Sequence, residues 1–143
     1  MKLYKIRNGL YQRGRFSKFS KAEKLKMLKR YDIGMVVNML SIKDPDLMDV
    51  AGLKYVCRPI PDSPNFSHHT VEDAAFMAIA QLRTGRGVLI HCNGGRNRSS
   101  LVTAIVLMDL YKMSAKEAIA KMREIRPNAL ATKAFTDYLK GRK

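Results

Sequence analysis

The sequence predicts an α/β fold, a central mostly parallel sheet flanked by helices, on three observations. Short β-branched or apolar runs at residues 35–40, 53–58 and 88–91 alternate with stretches of helical periodicity. The stretches between them supply the crossovers that parallel neighbours require. Hydrophobic residues make up 46% of the 143, enough to bury one core, so residues 1–143 are expected to form a single domain.

The elements follow in chain order. Residues 2–16 are rich in Tyr, Ile and Leu and broken at Gly9 and Gly14, which predicts two short strands or a hairpin. Ser20 and Glu23 form a capping-box pair, and Leu25, Leu28 and Tyr31 recur at helical spacing, predicting a helix over 21–30 that ends before Gly34. Residues 35–40 read as a buried strand, Asp44-Pro45 as a turn, and 53–58 as a second strand. Pro59, Pro61 and Pro64 then forbid regular structure around Asp62. Val71, Ala74, Ala75, Ala78, Ile79 and Leu82 predict a helix over 70–82, with Glu72 and Asp73 near its start and Gly85 and Gly87 beyond its end. Residues 88–91 form a third buried strand, and the largely apolar 99–111 a helix covered by protein. Ser114 and Glu117 open a helix that Arg126-Pro127 closes, and a last helix spans about 132–139.

Charge and cysteine content narrow the classes of function. The 27 Lys and Arg against 12 Asp and Glu give a formal charge of +15, a field that draws anions without naming one. Lys18, Lys21, Lys24, Lys26, Lys29 and Arg30 surround Leu25, Met27 and Leu28, the pattern of a solvated helix face. Two cysteines, Cys57 and Cys92, are too few for a disulfide framework and lack zinc-ligand spacing. No apolar run reaches the length of a signal peptide or a membrane span. A cytoplasmic monomer without stable membrane insertion is expected.

The chemistry concentrates in Cys92-Asn93-Gly94-Gly95-Arg96-Asn97-Arg98-Ser99, a glycine-containing loop between a strand and a helix. Successive amides of such a loop can point inward, and the helix N-terminus adds positive charge, so the segment suits an anion. Arg98 supplies a planar fork for two phosphate oxygens. The same donors favour the thiolate of a cysteine at the loop's mouth, which makes Cys92 a candidate nucleophile.

His91-Cys92-x5-Arg98-Ser99, with Gly95 between, resembles the HCxxGxxR[S/T] signature of the protein tyrosine and dual-specificity phosphatase superfamily. The apolar strand before it, the helix after it and Arg126-Pro127 extend the likeness to the small dual-specificity members. The resemblance implies a protein tyrosine phosphatase-like three-layer fold and hydrolysis of a phosphate monoester, with a phosphorylated protein as partner. Cys92 would become a phosphocysteine that water then hydrolyses, with no metal and no cofactor. Asn93, Gly94, Gly95, Arg96, Asn97 and Arg98 would bind the phosphate, Arg98 through both steps. Ser99 would assist departure of the thiolate, and His91 would order the loop from behind.

The general acid must come from Asp44, Asp46, Asp49, Asp62 or Asp73. Asp62, in a proline-rich loop after a strand, resembles the family's acid loop in context and separation. Asp73 lies in the first turn of an expected helix, where the dipole explains it, and Asp44 and Asp46 flank a turn. Asn97 before the arginine resembles the RNA 5′-triphosphatase branch, which keeps RNA open as a partner, while an amide bracing the loop's own backbone is the plainer role. Arg96 resembles the basic insertions of lipid and polyphosphate phosphatases and keeps anionic lipid open. A phosphate-binding module without turnover is the competing class. Cys57 reads as a small buried residue, with a redox partnership to Cys92 as the alternative, and His68 and His69 as loop residues before a helix.

Overall fold

The computed structural model describes residues 3–142. Met1, Lys2 and Lys143, the ends of the expected domain and of its first segment, lie outside the described residues. Strands β1 (Tyr4–Arg7) and β2 (Leu10–Arg13) form the expected hairpin, followed by α1 (Lys21–Arg30), β3 (Ile33–Asn38), α2 (Pro45–Met48), β4 (Lys54–Cys57), α3 (His68–Leu82), β5 (Gly87–His91), α4 (Arg98–Tyr111), α5 (Ala115–Ile125) and α6 (Lys133–Gly141). The sheet order is β1-β2-β5-β3-β4. Only the β1–β2 pair is antiparallel.

Alternation along the strands builds the layers. Met35 and Val37 of β3, with Val88 and Ile90 of β5, join one apolar cluster with α3, α4, α5 and α6. Ile33, Val36 and Leu89 face the other way and pack with Met27 and Leu28 of α1 and Leu47 of α2. The expected α/β class with helices on both faces is the observed one.

Register fixes where function sits. Arg13 of β2 and Asn38 of β3 both lie beside His91 of β5, and Asn38 also lies beside Cys57 of β4. The four parallel strands therefore end together, and the segments after them emerge along one sheet edge, the usual place for a ligand in parallel α/β sheets.

Three expectations need correction. The helix expected from residue 70 begins at His68, because Ser67 caps it by accepting from the Thr70 amide at 3.1 Å. Asp73 is thus beyond the first turn, and it pairs with Arg58 at 2.6 Å. Strand β3 starts at Ile33 and includes Gly34, where a Cβ would collide with the Gln81 side chain, and it ends at Asn38 because the Asn38 side chain takes the Leu40 amide at 2.8 Å. Lys24, expected on a solvated face, is 2% exposed. It bonds Asp44 at 2.8 Å and Asp46 at 2.9 Å.

That ion pair ties α1 to α2 and braces the intervening segment that borders the candidate site. Burial alone would lower the Lys24 pKa, but the two carboxylates outweigh it and the shift is upward. The stability it contributes is therefore present at neutral pH and lost only as pH rises through the raised value. Lys24→Met is expected to cost about 2–3 kcal/mol in urea unfolding at pH 7, since it strands two carboxylates of which one is partly exposed. A change under about 0.5 kcal/mol, the range of a neutral surface substitution, would show that the pair holds nothing.

Candidate active site

The loop from Cys92 to Arg98 leaves β5 and enters α4, as its sequence requires. Four consecutive carbonyls of this loop are held from outside. Asn93 O accepts from the Arg15 amide at 2.8 Å, and Arg96 O from the Leu130 amide at 2.9 Å. Gly94 O and Gly95 O each accept from the Arg126 guanidinium at 3.2 Å. In a planar trans peptide the C=O of one residue and the N–H of the next point in opposite directions. Pinning these carbonyls outward turns the amides of Gly94, Gly95, Arg96 and Asn97 away from those partners and toward the loop's interior, the arrangement of an anion nest.

The glycine requirement is specific. Gly95 has φ +67°, and a Cβ there would lie 2.6 Å from Gly14 N and 2.8 Å from Arg13 C. A Cβ on Gly14 would in turn lie 2.9 Å from Asn93 O. Loop and β2 end therefore approach backbone to backbone, whereas Gly94 has room for a side chain.

Cys92 is 2% exposed, with Sγ 3.3 Å from Ser99 Oγ. Gln12 Nε2 donates to Ser99 Oγ at 2.9 Å and to Ser100 Oγ at 2.6 Å, which locks the start of α4 onto β2. Because Ser99 accepts from Gln12, its own proton is free to be given to sulfur. Arg98 borders a cavity of about 510 Å³ with Asn93, Arg15, Ser41, Leu40, Ile42, Pro59, Ile60 and Pro61. The buried Nε of Arg98 has no hydrogen-bond partner among the described residues. The cavity lining thus combines two cationic side chains with apolar ones.

Asp62 is exposed and lies against the loop: Oδ2 accepts from Asn97 Nδ2 at 3.0 Å and Oδ1 from Thr132 Oγ1 at 2.6 Å. Three of its rivals are engaged elsewhere, and Asp49 stands at the C-terminal end of α2. Asp44 and Asp46 hold Lys24, and Asp73 holds Arg58. Asn97 does not brace the loop's own backbone as expected; its Oδ1 accepts from the Ala131 amide at 2.8 Å. Arg96 is exposed, its carbonyl rather than its side chain being tied down. Cys57 is half-buried, its Sγ 3.8 Å from Asn38 Nδ2, and His68 and His69 are exposed in the first turn of α3 rather than before it.

His91 is buried behind the loop with its ring 4.7 Å from that of Phe16. Burial pushes its pKa down to about 4, and the nearby Cys92 backbone and Asp44 act in the opposite sense without completing a hydrogen bond to either ring nitrogen. Gln12, Gly14, Arg15, Arg126 and Thr132 were missed as site residues. Only Arg126 carried a signal, its place beside Pro127 in the resemblance.

The family model for the dual specificity phosphatase catalytic domain matches residues 16–141. Dual specificity protein phosphatase 22 of Homo sapiens is 31% identical over 137 residues, covering 94% of this chain and 70% of its own. The protein of the same name from Xenopus tropicalis is 30% identical over 106 residues, covering 73% of this chain and 50% of its own. The chain thus spans about half the length of one curated relative and 70% of the other. The crystal structure of human tyrosine phosphatase-like serine/threonine/tyrosine-interacting protein superposes with a TM-score of 0.82 at 21% identity, covering 96% of this chain and 93% of that one. Human DUSP28 superposes at 0.79 with 21% identity, covering 96% and 90%. At these identities the superpositions speak to fold alone.

The buried, neutral His91 makes stability depend on pH. The unfolded ring takes up a proton near 6.5 and the folded one only near 4, so the unfolded state binds more protons between them and folding weakens as pH falls through that window. The loss attributable to His91 is about 3 kcal/mol by pH 4. Urea unfolding at pH 7 and pH 4.5 should show a smaller drop for His91→Asn than for the native chain; equal drops would mean that His91 does not titrate differently on folding.

Proposed function

Because the chain belongs to the dual specificity phosphatase catalytic-domain family, we propose that it hydrolyses phosphate monoesters of proteins, phosphotyrosine foremost, through a phosphocysteine on Cys92. The observation that carries this reading is the row of outward-pinned carbonyls from Asn93 to Arg96, which leaves the loop's amides to converge between Cys92 and Arg98. Loop amides and Arg98 hold the three phosphoryl oxygens while Cys92 Sγ attacks phosphorus. Asp62 gives a proton to the leaving oxygen, and in the second step takes one from the attacking water. Ser99, oriented by Gln12, donates to Sγ as the thiolate departs.

The lining of the cavity by Leu40, Ile42, Pro59, Ile60 and Pro61 together with Arg98 and Arg15 supports an aryl ester, whose ring needs an apolar contact beside the phosphate. Phosphoserine and phosphothreonine, without a ring, use less of that lining. Binding of Asn97 to Asp62 and Ala131 accounts for the asparagine without invoking RNA. The reading takes residues 1–143 as one catalytic domain, cytoplasmic, active as a monomer and needing no cofactor. Packing of both apolar clusters on one sheet supports the single domain. Among the described residues no helix is long and apolar enough to cross a membrane.

Substitution of the acid tests the reading through the leaving group. A general acid contributes roughly 10²–10⁴-fold for a leaving oxygen of high basicity and far less for an activated one. Asp62→Asn is expected to lower kcat/KM by at least about 10²-fold on phenyl phosphate, while hurting nitrophenyl phosphate much less. Asp73→Asn should produce no such tilt. A steeper leaving-group dependence in Asp73→Asn than in Asp62→Asn would transfer the acid role. In a panel under identical salt, phosphotyrosine peptide should outrun phosphothreonine peptide, triphosphate-ended RNA and phosphoinositide, and a different order would replace the substrate class.

A further inference from the structure

We propose that Asn97 and Thr132 are positioning residues that hold the Asp62 carboxylate against the phosphate loop, so that the acid is docked before substrate arrives. The inference rests on the reading of Asp62 as the general acid. Both residues stand at helix N-caps, Asn97 of α4 and Thr132 of α6, and both are residue types that ordinarily accept from the first amides of their helix. Neither does so here. Both donate to Asp62 instead, Asn97 Nδ2 at 3.0 Å and Thr132 Oγ1 at 2.6 Å. Two helices each forgo a stabilising side-chain cap, and the forgone bonds converge on one exposed carboxylate in a loop with prolines at 59, 61 and 64.

Asn97 is chemically suited to this place because it needs a donor and an acceptor at once. Its Nδ2 faces Asp62 while its Oδ1 takes the Ala131 amide at 2.8 Å. An amide group supplies both, whereas an aspartate would set two carboxylates against each other and an alanine would supply neither. The neighbouring Leu130 amide ties the same stretch to Arg96 O at 2.9 Å. Residues 130–132 therefore run along the phosphate loop and are stitched to it by backbone, and the Asp62 loop is stitched to both. Position of the proton donor is thereby coupled to position of Arg98, the residue after Asn97.

A double-mutant cycle separates positioning of the acid from any direct effect on the loop. Asn97→Ala, Thr132→Val, Asp62→Asn and the pair Asn97→Ala/Asp62→Asn are compared on phenyl and nitrophenyl phosphate, with inorganic phosphate as competitive inhibitor and thermal unfolding in parallel. Asn97→Ala is expected to lower kcat/KM on phenyl phosphate roughly tenfold more than on nitrophenyl phosphate, because a displaced acid costs most where the proton is needed. That excess should vanish in the Asp62→Asn background. Thr132→Val should show the same tilt, Thr132→Ser should restore it, and Thr132 lies outside the loop if Asn97→Ala fails to fold. Equal losses on both substrates, a matching loss of phosphate binding, or an undiminished excess in the Asp62→Asn background would overturn the proposal. No tilt in Asp62→Asn itself would remove the acid reading, a failure visible separately from the other three.

Discussion

The outward anchoring of the carbonyls of Asn93, Gly94, Gly95 and Arg96 is the constraint on which the rest of the site depends. A loop of this length could satisfy its carbonyls and amides in many ways, and only one sends the amides to a common centre. The anchors come from both ends of the chain. Arg15 follows the N-terminal hairpin, and Arg126 and Leu130 lie in the turn between α5 and α6. Arg126 is itself held over the Tyr4 ring at 4.1 Å, so its fork is set before it reaches the loop. Gly14 and Gly95 then allow the two backbones to approach closely enough for the Arg15 bond.

Charge follows from the same geometry. Arg15 and Arg98 border the cavity, while Arg126 holds the carbonyls of Gly94 and Gly95 and acts on Arg13. The Arg13 pKa is lowered, first by burial, and the positive charge of Arg126 adds to that effect while Tyr4 opposes it. A dianionic phosphate in the cavity would meet the positive charge of Arg15 and Arg98, which couples binding to stability as well as to rate. Asp62 is held by neutral donors, the Asn97 amide and the Thr132 hydroxyl.

What the sequence made legible was local. Ser20 with Glu23 and Ser114 with Glu117 announced two helices, and both capping boxes are present as read. The strand, loop and helix around Cys92 were legible because glycines, a cysteine and an arginine stand within a few residues. Non-local partners were not. Thr132 meets Asp62 across 70 residues, Arg126 meets Gly95 across 31, and Gln12 meets Ser99 across 87. The burial of Lys24 is not legible locally because it depends on two aspartates beyond the next strand. The Ser67 cap is masked in the sequence by the two histidines that follow it, which resemble loop.

In the proposed reaction the loop presents phosphorus to Cys92 Sγ. Rapid detergent denaturation of the native chain during turnover of a radiolabelled phosphotyrosine peptide, followed by peptide mapping without exposure to acid, detects the covalent intermediate. Label confined to the peptide carrying Cys92, released in mild acid as a thiophosphate is, and absent in Cys92→Ser, is the predicted result. Turnover with label on another residue, or sustained turnover by pure Cys92→Ser, would contradict the account.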